Sequence, residues 1–172
     1  MSQHLLSQQE LLMGKGKYFY VHSMAEGDGS MNDRIDVAFR LFDGGFNCAQ
    51  SVVGAFADQE QAKLALKLAA GFGGGMRCGE VCGAVTGALM VLGLREGTCL
   101  ADDLDGKRRM GERTLKFMEK FADSKGTLLC RDLLGYDPRD LEAKEKYGGS
   151  KREVCQDAIR TAILLLGELG IE

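Results

Sequence analysis

The sequence predicts an all-α fold, a single-domain helical bundle of about six to seven helices around a central, Gly-rich buried helix. Three observations predict it. Apolar residues return at helical spacing in one segment after another from Met31 onward. No alternating β-branched run bounded by hairpin turns occurs anywhere. Only one proline, Pro138, breaks 172 residues, a length that suits one core.

The elements follow in order. Asn32 is positioned to cap "DRIDVAFRLFDGG", where Ile35, Ala38, Phe39 and Phe42 share a face and Gly44-Gly45 ends the helix. Asn47 caps the next helix, with Cys48, Val52, Ala55 and Phe56 on one side. "EQAKLALKLAAGF" is a third helix, apolar at Leu64, Leu66, Leu68 and Ala69, and it runs out at Gly73-Gly74-Gly75. From about Gly79 to Leu94 the chain is apolar nearly all round, the pattern of a buried central helix. "DDLDGKRRMGERTLKFMEKFADSKG" is long and amphipathic, with Leu115, Met118 and Phe121 expected inward. A short helix, "LLCRDLLG", carries Cys130. Asp137-Pro138 reads as the start of another, with proline at the first helical position. Ser150 and Glu153 have capping-box spacing ahead of a last helix, whose Cys155, Ala158, Ile159, Ala162, Ile163 and Leu166 form one stripe.

Residues 1–30 lack a sustained helical period and read as an N-terminal extension, tag-derived or weakly ordered. Residues 31–172 form the helical domain. A net charge of -3 gives no reason to expect a nucleic-acid partner, and Lys107-Arg108-Arg109 sits among acids as a solvated helix face. No stretch reaches the roughly 20 apolar residues of a membrane span. Without a secretory h-region the expected location is cytoplasmic, where cysteines are more often reduced, metal-bound or redox-active than locked in structural disulfides.

Histidine offers the core no chemistry. His4 and His22, the only two, both lie in the extension, which removes Cys–His pairs, Ser–His–Asp triads and histidine ligands from residues 31–172. Haem c attachment, which needs Cys-x-x-Cys-His, is excluded too. The glycine run "GFGGGMRCG" lacks the Gly-Lys-Ser/Thr ending of a phosphate loop and follows no strand. It reads as a turn that delivers Cys78 and Cys82 to the core, with Arg77 able to favour a thiolate if it points inward.

Six cysteines remain, at 48, 78, 82, 99, 130 and 155, and no two are spaced Cys-x-x-Cys. They are spread over several helices, the way bundles assemble sites from facing elements. Free cysteine also packs as a small hydrophobe, so spacing alone leaves site and inert core both open. Gly79, Gly83 and Gly87 are four apart, one stripe on the expected helix, at about 1 kcal/mol each relative to alanine. Either another backbone approaches there, or the helix is bared beside Cys82 for a cofactor or reacting partner.

"GFNCAQSV", then "CGAVTGALMVLGL", then "CRDLLG", then a cysteine opening the last helix resembles the C_GCAxxG_C_C family of redox-active proteins. The resemblance runs from about residue 33 to 166. It implies a small bacterial or archaeal helical protein with redox or metal chemistry at Cys48, Cys82, Cys130 and Cys155, and places the CGAxxG motif on Cys82, Gly83, Ala84 and Gly87. Related split-Soret cytochromes carry haem and an iron–sulfur centre, of which only a cysteine-held centre could carry over.

Two redox versions follow from it. In one, Cys48, Cys82, Cys130 and Cys155, with Cys78 as a further candidate, ligate an iron–sulfur cluster or other metal, and Gly83, Ala84 and Gly87 present backbone to the cofactor. In the other, the same four are redox-active thiols exchanging electrons with an unidentified partner. The alternative is a non-catalytic helical interaction module or homodimer with structural core cysteines.

Overall fold

The computed structural model describes residues 29–172, so all but the end of the expected extension at 1–30 lies outside the described residues. Eight α-helices occur among them, and the fold is all-α: α1 (Met31–Asp43), α2 (Cys48–Phe56), α3 (Gln59–Ala69), α4 (Gly83–Glu96), α5 (Leu104–Lys125), α6 (Cys130–Leu134), α7 (Leu141–Tyr147) and α8 (Lys151–Glu168). Two of these, α6 and α7, are only five and seven residues long, which accounts for the count above the expected six to seven. No helix among the described residues is long and apolar enough to cross a membrane.

The α2 and α4 helices form the centre, packed on each other most extensively, with α1, α5 and α8 around them. Val52, Val53, Val85, Val91, Leu92, Ile159, Ile163 and Leu166 interdigitate there, all essentially inaccessible. Burying each such side chain contributes about 1.5–3 kcal/mol. Phe117 and Phe121 close the α5 side, ring centroids 6.3 Å apart.

Several local expectations are corrected. Ser30, not Asn32, caps α1: its extended backbone lets Oγ accept the Asp33 N–H at 3.2 Å. Of the apolar residues expected in α3, Ala69 is buried while Leu64 and Leu68 are exposed; Ala62 and Ala65 complete the buried face and let α3 lie close to its neighbours. Leu115 is exposed because the inward stripe of α5 runs through Phe117 and Phe121, and two residues is over half a turn. Pro138 sits in a turn, and α7 begins later, where the Asp140 carboxylate accepts the Ala143 N–H at 2.9 Å. Ser150 already has helical φ/ψ within a tight turn, so it makes no capping hydrogen bond. The last-helix stripe from Cys155 to Leu166 is buried as expected.

The largest departure precedes α4. Gly79 is not in the central helix: its φ of +74° is left-handed, and α4 starts only at Gly83. Between them the chain is extended and bridges antiparallel through Val81 and Leu129. The Cys82 N–H donates to Leu128 O at 2.8 Å and the Cys130 N–H to Glu80 O at 2.7 Å. Those bonds remove residues 80–82 from any helix, so Cys78 and Cys82 do not share one.

Candidate functional site

Each of the four family-pattern cysteines is set by a local device. Cys48 is the first residue of α2. Asn47 before it closes a capping box: its Oδ1 accepts the Gln50 N–H at 3.0 Å while Gln50 Oε1 accepts the Asn47 N–H at 3.1 Å. Asn47 Nδ2 also donates to the carbonyls of Ala69 and Ala70, at 3.3 and 3.0 Å, fixing the start of α2 to the end of α3. Cys82 is the N-cap of α4 and Cys130 opens α6, each held by one of the two bridge hydrogen bonds. Cys155 lies in the second turn of α8, one turn after Lys151.

The chain before Cys82 is strained. Gly74, Gly75, Met76 and Arg77 are successively left-handed, with φ of 64°, 57°, 56° and 64°. Met76 and Arg77 are not glycine, and a left-handed side-chain-bearing residue costs roughly 1–2 kcal/mol. At Gly75 a Cβ would fall 2.5 Å from Glu80 O and 2.9 Å from Cys130 Cβ, so only glycine fits. The end of the run "GFGGG" thus enters a left-handed turn at 74–77, in which Gly75 lies against Cys130.

Cys48, Cys82, Cys130 and Cys155 are all buried and unbridged, and every pair among them lies close enough for their charges to interact. For both Cys48 and Cys155 the neighbouring thiol of the other is the largest influence on ionisation: it raises Cys48 well above its ordinary value, helped by burial, and lowers Cys155, which Lys151 also favours as thiolate. Burial pushes Cys82 up to about 11, against the pull of the Ala84 and Val85 amides, which face its sulfur without closing a capping hydrogen bond. Burial, with repulsion from Cys82 and Cys155, pushes Cys130 up to about 12.

The remaining candidates fall elsewhere. Cys78 is half-buried and donates to Gly75 O at 3.2 Å, and Cys99 is exposed. Arg77 is exposed on the left-handed turn. Gly83 and Gly87 face α2: a Cβ on Gly83 would meet Cys48 Cβ at 3.1 Å, and one on Gly87 would meet Ala49 O at 2.7 Å. The glycine stripe thus reduces to two positions, and the approaching backbone is that of α2. Ala84 is buried beside them. Two further residues belong to the site. Tyr136 is buried near Cys130 and Cys155, its phenol raised by burial and then by their charges, and Lys151 acts on both of those thiols. Lys151 was readable as the residue four before Cys155, whereas nothing in the sequence marks Tyr136.

A metal makes a stricter demand than mutual proximity. As placed, no group of three or more His, Cys, Asp or Glu side chains among the described residues could hold a metal ion. The four thiols are the right donors for a soft metal but do not close a shell.

A family model described as "Putative redox-active protein (C_GCAxxG_C_C)" matches residues 46–169, most of the described chain. The chain belongs to the C_GCAxxG_C_C family. The match spans all four clustered cysteines and the Cys82–Gly87 motif. No curated protein and no solved structure matches the chain.

Proposed function

We propose that this C_GCAxxG_C_C protein is a thiol–disulfide redox protein in which Cys155 is the attacking thiolate and Cys48 the second thiol of the couple. The pairing of these two buried thiols carries the reading, because a neighbouring thiol that favours ionisation of Cys155 leaves that sulfur the more nucleophilic of the two.

The step balances with a partner disulfide. The Cys155 thiolate attacks one partner sulfur, the partner S–S bond breaks, and the other partner sulfur leaves as thiolate. Cys48 then gives up its proton and attacks the Cys155 sulfur, forming the Cys48–Cys155 bond and releasing the second partner thiolate. The protein loses two electrons and the partner disulfide gains them.

Peptide mapping after oxidation of the reduced protein with glutathione disulfide tests this. The expected product is a reducible Cys48–Cys155 link. Recovery of both cysteines unmodified, or scrambled among all six, would overturn the reading and leave a helical module with core cysteines.

A second reading, an iron–sulfur cluster or other metal held by Cys48, Cys82, Cys130 and Cys155, is favoured by the mutual repulsion of four buried thiols, which a cation would relieve. It requires the sulfurs to draw together from their present positions. Anaerobic purification with metal analysis and an absorption spectrum, for wild type and Cys82→Ala, decides it: stoichiometric metal lost in the variant supports it, and metal-free colourless protein sinks it.

A further inference from the structure

The Cys48–Cys155 couple leaves Cys82 and Cys130 without a role, although they are as deeply buried, 4% and 5% exposed. Their backbone relation is defined by the Val81–Leu129 bridge. Side chains alternate along extended chain. Cys82 and Cys130, each one residue past a bridge partner, therefore lie on the same side, while Val81 and Leu129 take the other. Burial agrees: the two cysteines face the core, and Val81 and Leu129 are only half-buried. They are diagonal neighbours rather than directly opposed, a relation that sets backbones roughly 7–8 Å apart. A disulfide takes Cα atoms roughly 4.4–6.8 Å apart, so a closure of about 1 Å is needed.

The element that must give is the one that is strained. Residues 78–81 join Cys82 to the left-handed turn, and Gly75 in that turn lies against Cys130 Cβ. Any approach of Cys130 and Cys82 therefore moves both ends of the turn. We propose that Cys82 and Cys130 are a second thiol–disulfide couple, and that closing it remodels the left-handed turn at 74–77.

The proposal rests on the thiol reading of the cluster and extends it from two electrons to four. With glutathione disulfide as oxidant, the Cys82 sulfur attacks and releases one glutathione. Cys130 then attacks the Cys82 sulfur and releases the second. One S–S bond forms, one breaks, and the two cysteine protons end on two glutathione thiols.

Reduced wild type is oxidised with glutathione disulfide, capped with N-ethylmaleimide, and cut with trypsin and a glutamate-specific protease. Cleavage at Glu80 separates Cys78 from Cys82. The expected result is a reducible link between the peptides bearing Cys82 and Cys130, kept in the Cys48→Ala/Cys155→Ala variant. Amide exchange at residues 74–81 should rise about tenfold or more on oxidation. If the double variant does not fold, the wild-type map alone decides. A Cys48–Cys155 link with Cys82 and Cys130 capped, singly glutathionylated or joined to Cys78 overturns this proposal and spares the first. Absence of both links overturns both. A Cys82–Cys130 link with unchanged exchange at 74–81 overturns the coupling to the turn.

Discussion

Gly87 and Gly93 lie on the same helix, α4, and alanine at each should move stability in opposite directions. At Gly93 a Cβ meets nothing within 4 Å, so Gly93→Ala gains only helix propensity, about 0.5–1 kcal/mol. At Gly87 the same Cβ lands 2.7 Å from Ala49 O and 3.0 Å from both Ala49 Cα and Val52 Cβ. Carbon contacts settle near 3.5–4.0 Å, so α2 must retreat by several tenths of an ångström along its tightest interface. Overpacking of this kind costs typically 1–3 kcal/mol, more than the propensity gained. Net destabilisation of Gly87→Ala is therefore about 1–2 kcal/mol, and the two variants differ by about 2. For a chain this size, roughly 2–4 °C per kcal/mol gives a gap of about 4–8 °C in thermal unfolding followed by circular dichroism. The second readout is the Cys48–Cys155 link, because Ala49 follows Cys48 directly. If Gly87→Ala unfolds with or above Gly93→Ala, close packing is not why Gly87 lacks a side chain, and a bared backbone for a cofactor becomes the better account.

Asn47→Ala should destabilise by about 1–2 kcal/mol in urea titration through loss of the cap, and Asn47→Asp, which keeps the cap oxygen but not the Nδ2 bonds to Ala69 and Ala70, should fall between. Above pH 9.0 stability should decline: Cys82 stays protonated in the folded state up to about 11 while its unfolded thiol ionises from the ordinary 9.0, so the folded state holds the extra proton and loses on the order of 1.4 kcal/mol per pH unit in that window. Cys82→Ala should remove that share of the slope and leave the share of Cys48 and Cys130, as seen in denaturation midpoints from pH 8 to 11, and an unchanged slope would contradict the buried thiol. Lys151→Met should slow iodoacetamide labelling of Cys155 about two- to fivefold at low salt, with Lys151→Arg restoring it and high salt erasing the difference, since the ammonium is exposed and screened.

The helices were legible because their signals are local. The apolar stripe of α8 and the Asn47 cap need only neighbours in sequence, and both hold. What failed needed tertiary information. Leu64 and Leu68 look inward by composition, yet α3 turns its alanines to the core because their small side chains allow close approach. The apolar run at 79–94 looked like one helix because apolarity does not report that residues 80–82 spend their hydrogen bonds on residues 128–130, nearly fifty positions away. The same hidden bridge makes the site. Spacing showed six cysteines and the family pattern selected four, but only the fold pairs Cys48 with Cys155 and sets Cys82 on one bridge face with Cys130.

The placement of these cysteines sets two opposing effects against each other. Cys48, Cys82 and Cys130 each stand at a helix start, where unpaired amides and the positive end of the helix dipole favour an anion. The neighbouring Cys155 thiol at Cys48, and burial with mutual repulsion at all three, oppose ionisation and win. Only Cys155, influenced by the Cys48 thiol and one turn from Lys151, falls below its ordinary value. Thiol exchange begins from a thiolate, and among the four Cys155 is the position where one is favoured. A metal bound by all four would have to displace the remaining protons, including those held to about 11 and about 12, so its affinity would steepen by about tenfold per pH unit for each proton released. Burial thus sets the protons of Cys82 and Cys130 against a metal, while the same surroundings favour Cys155 as the thiolate that the proposed exchange requires.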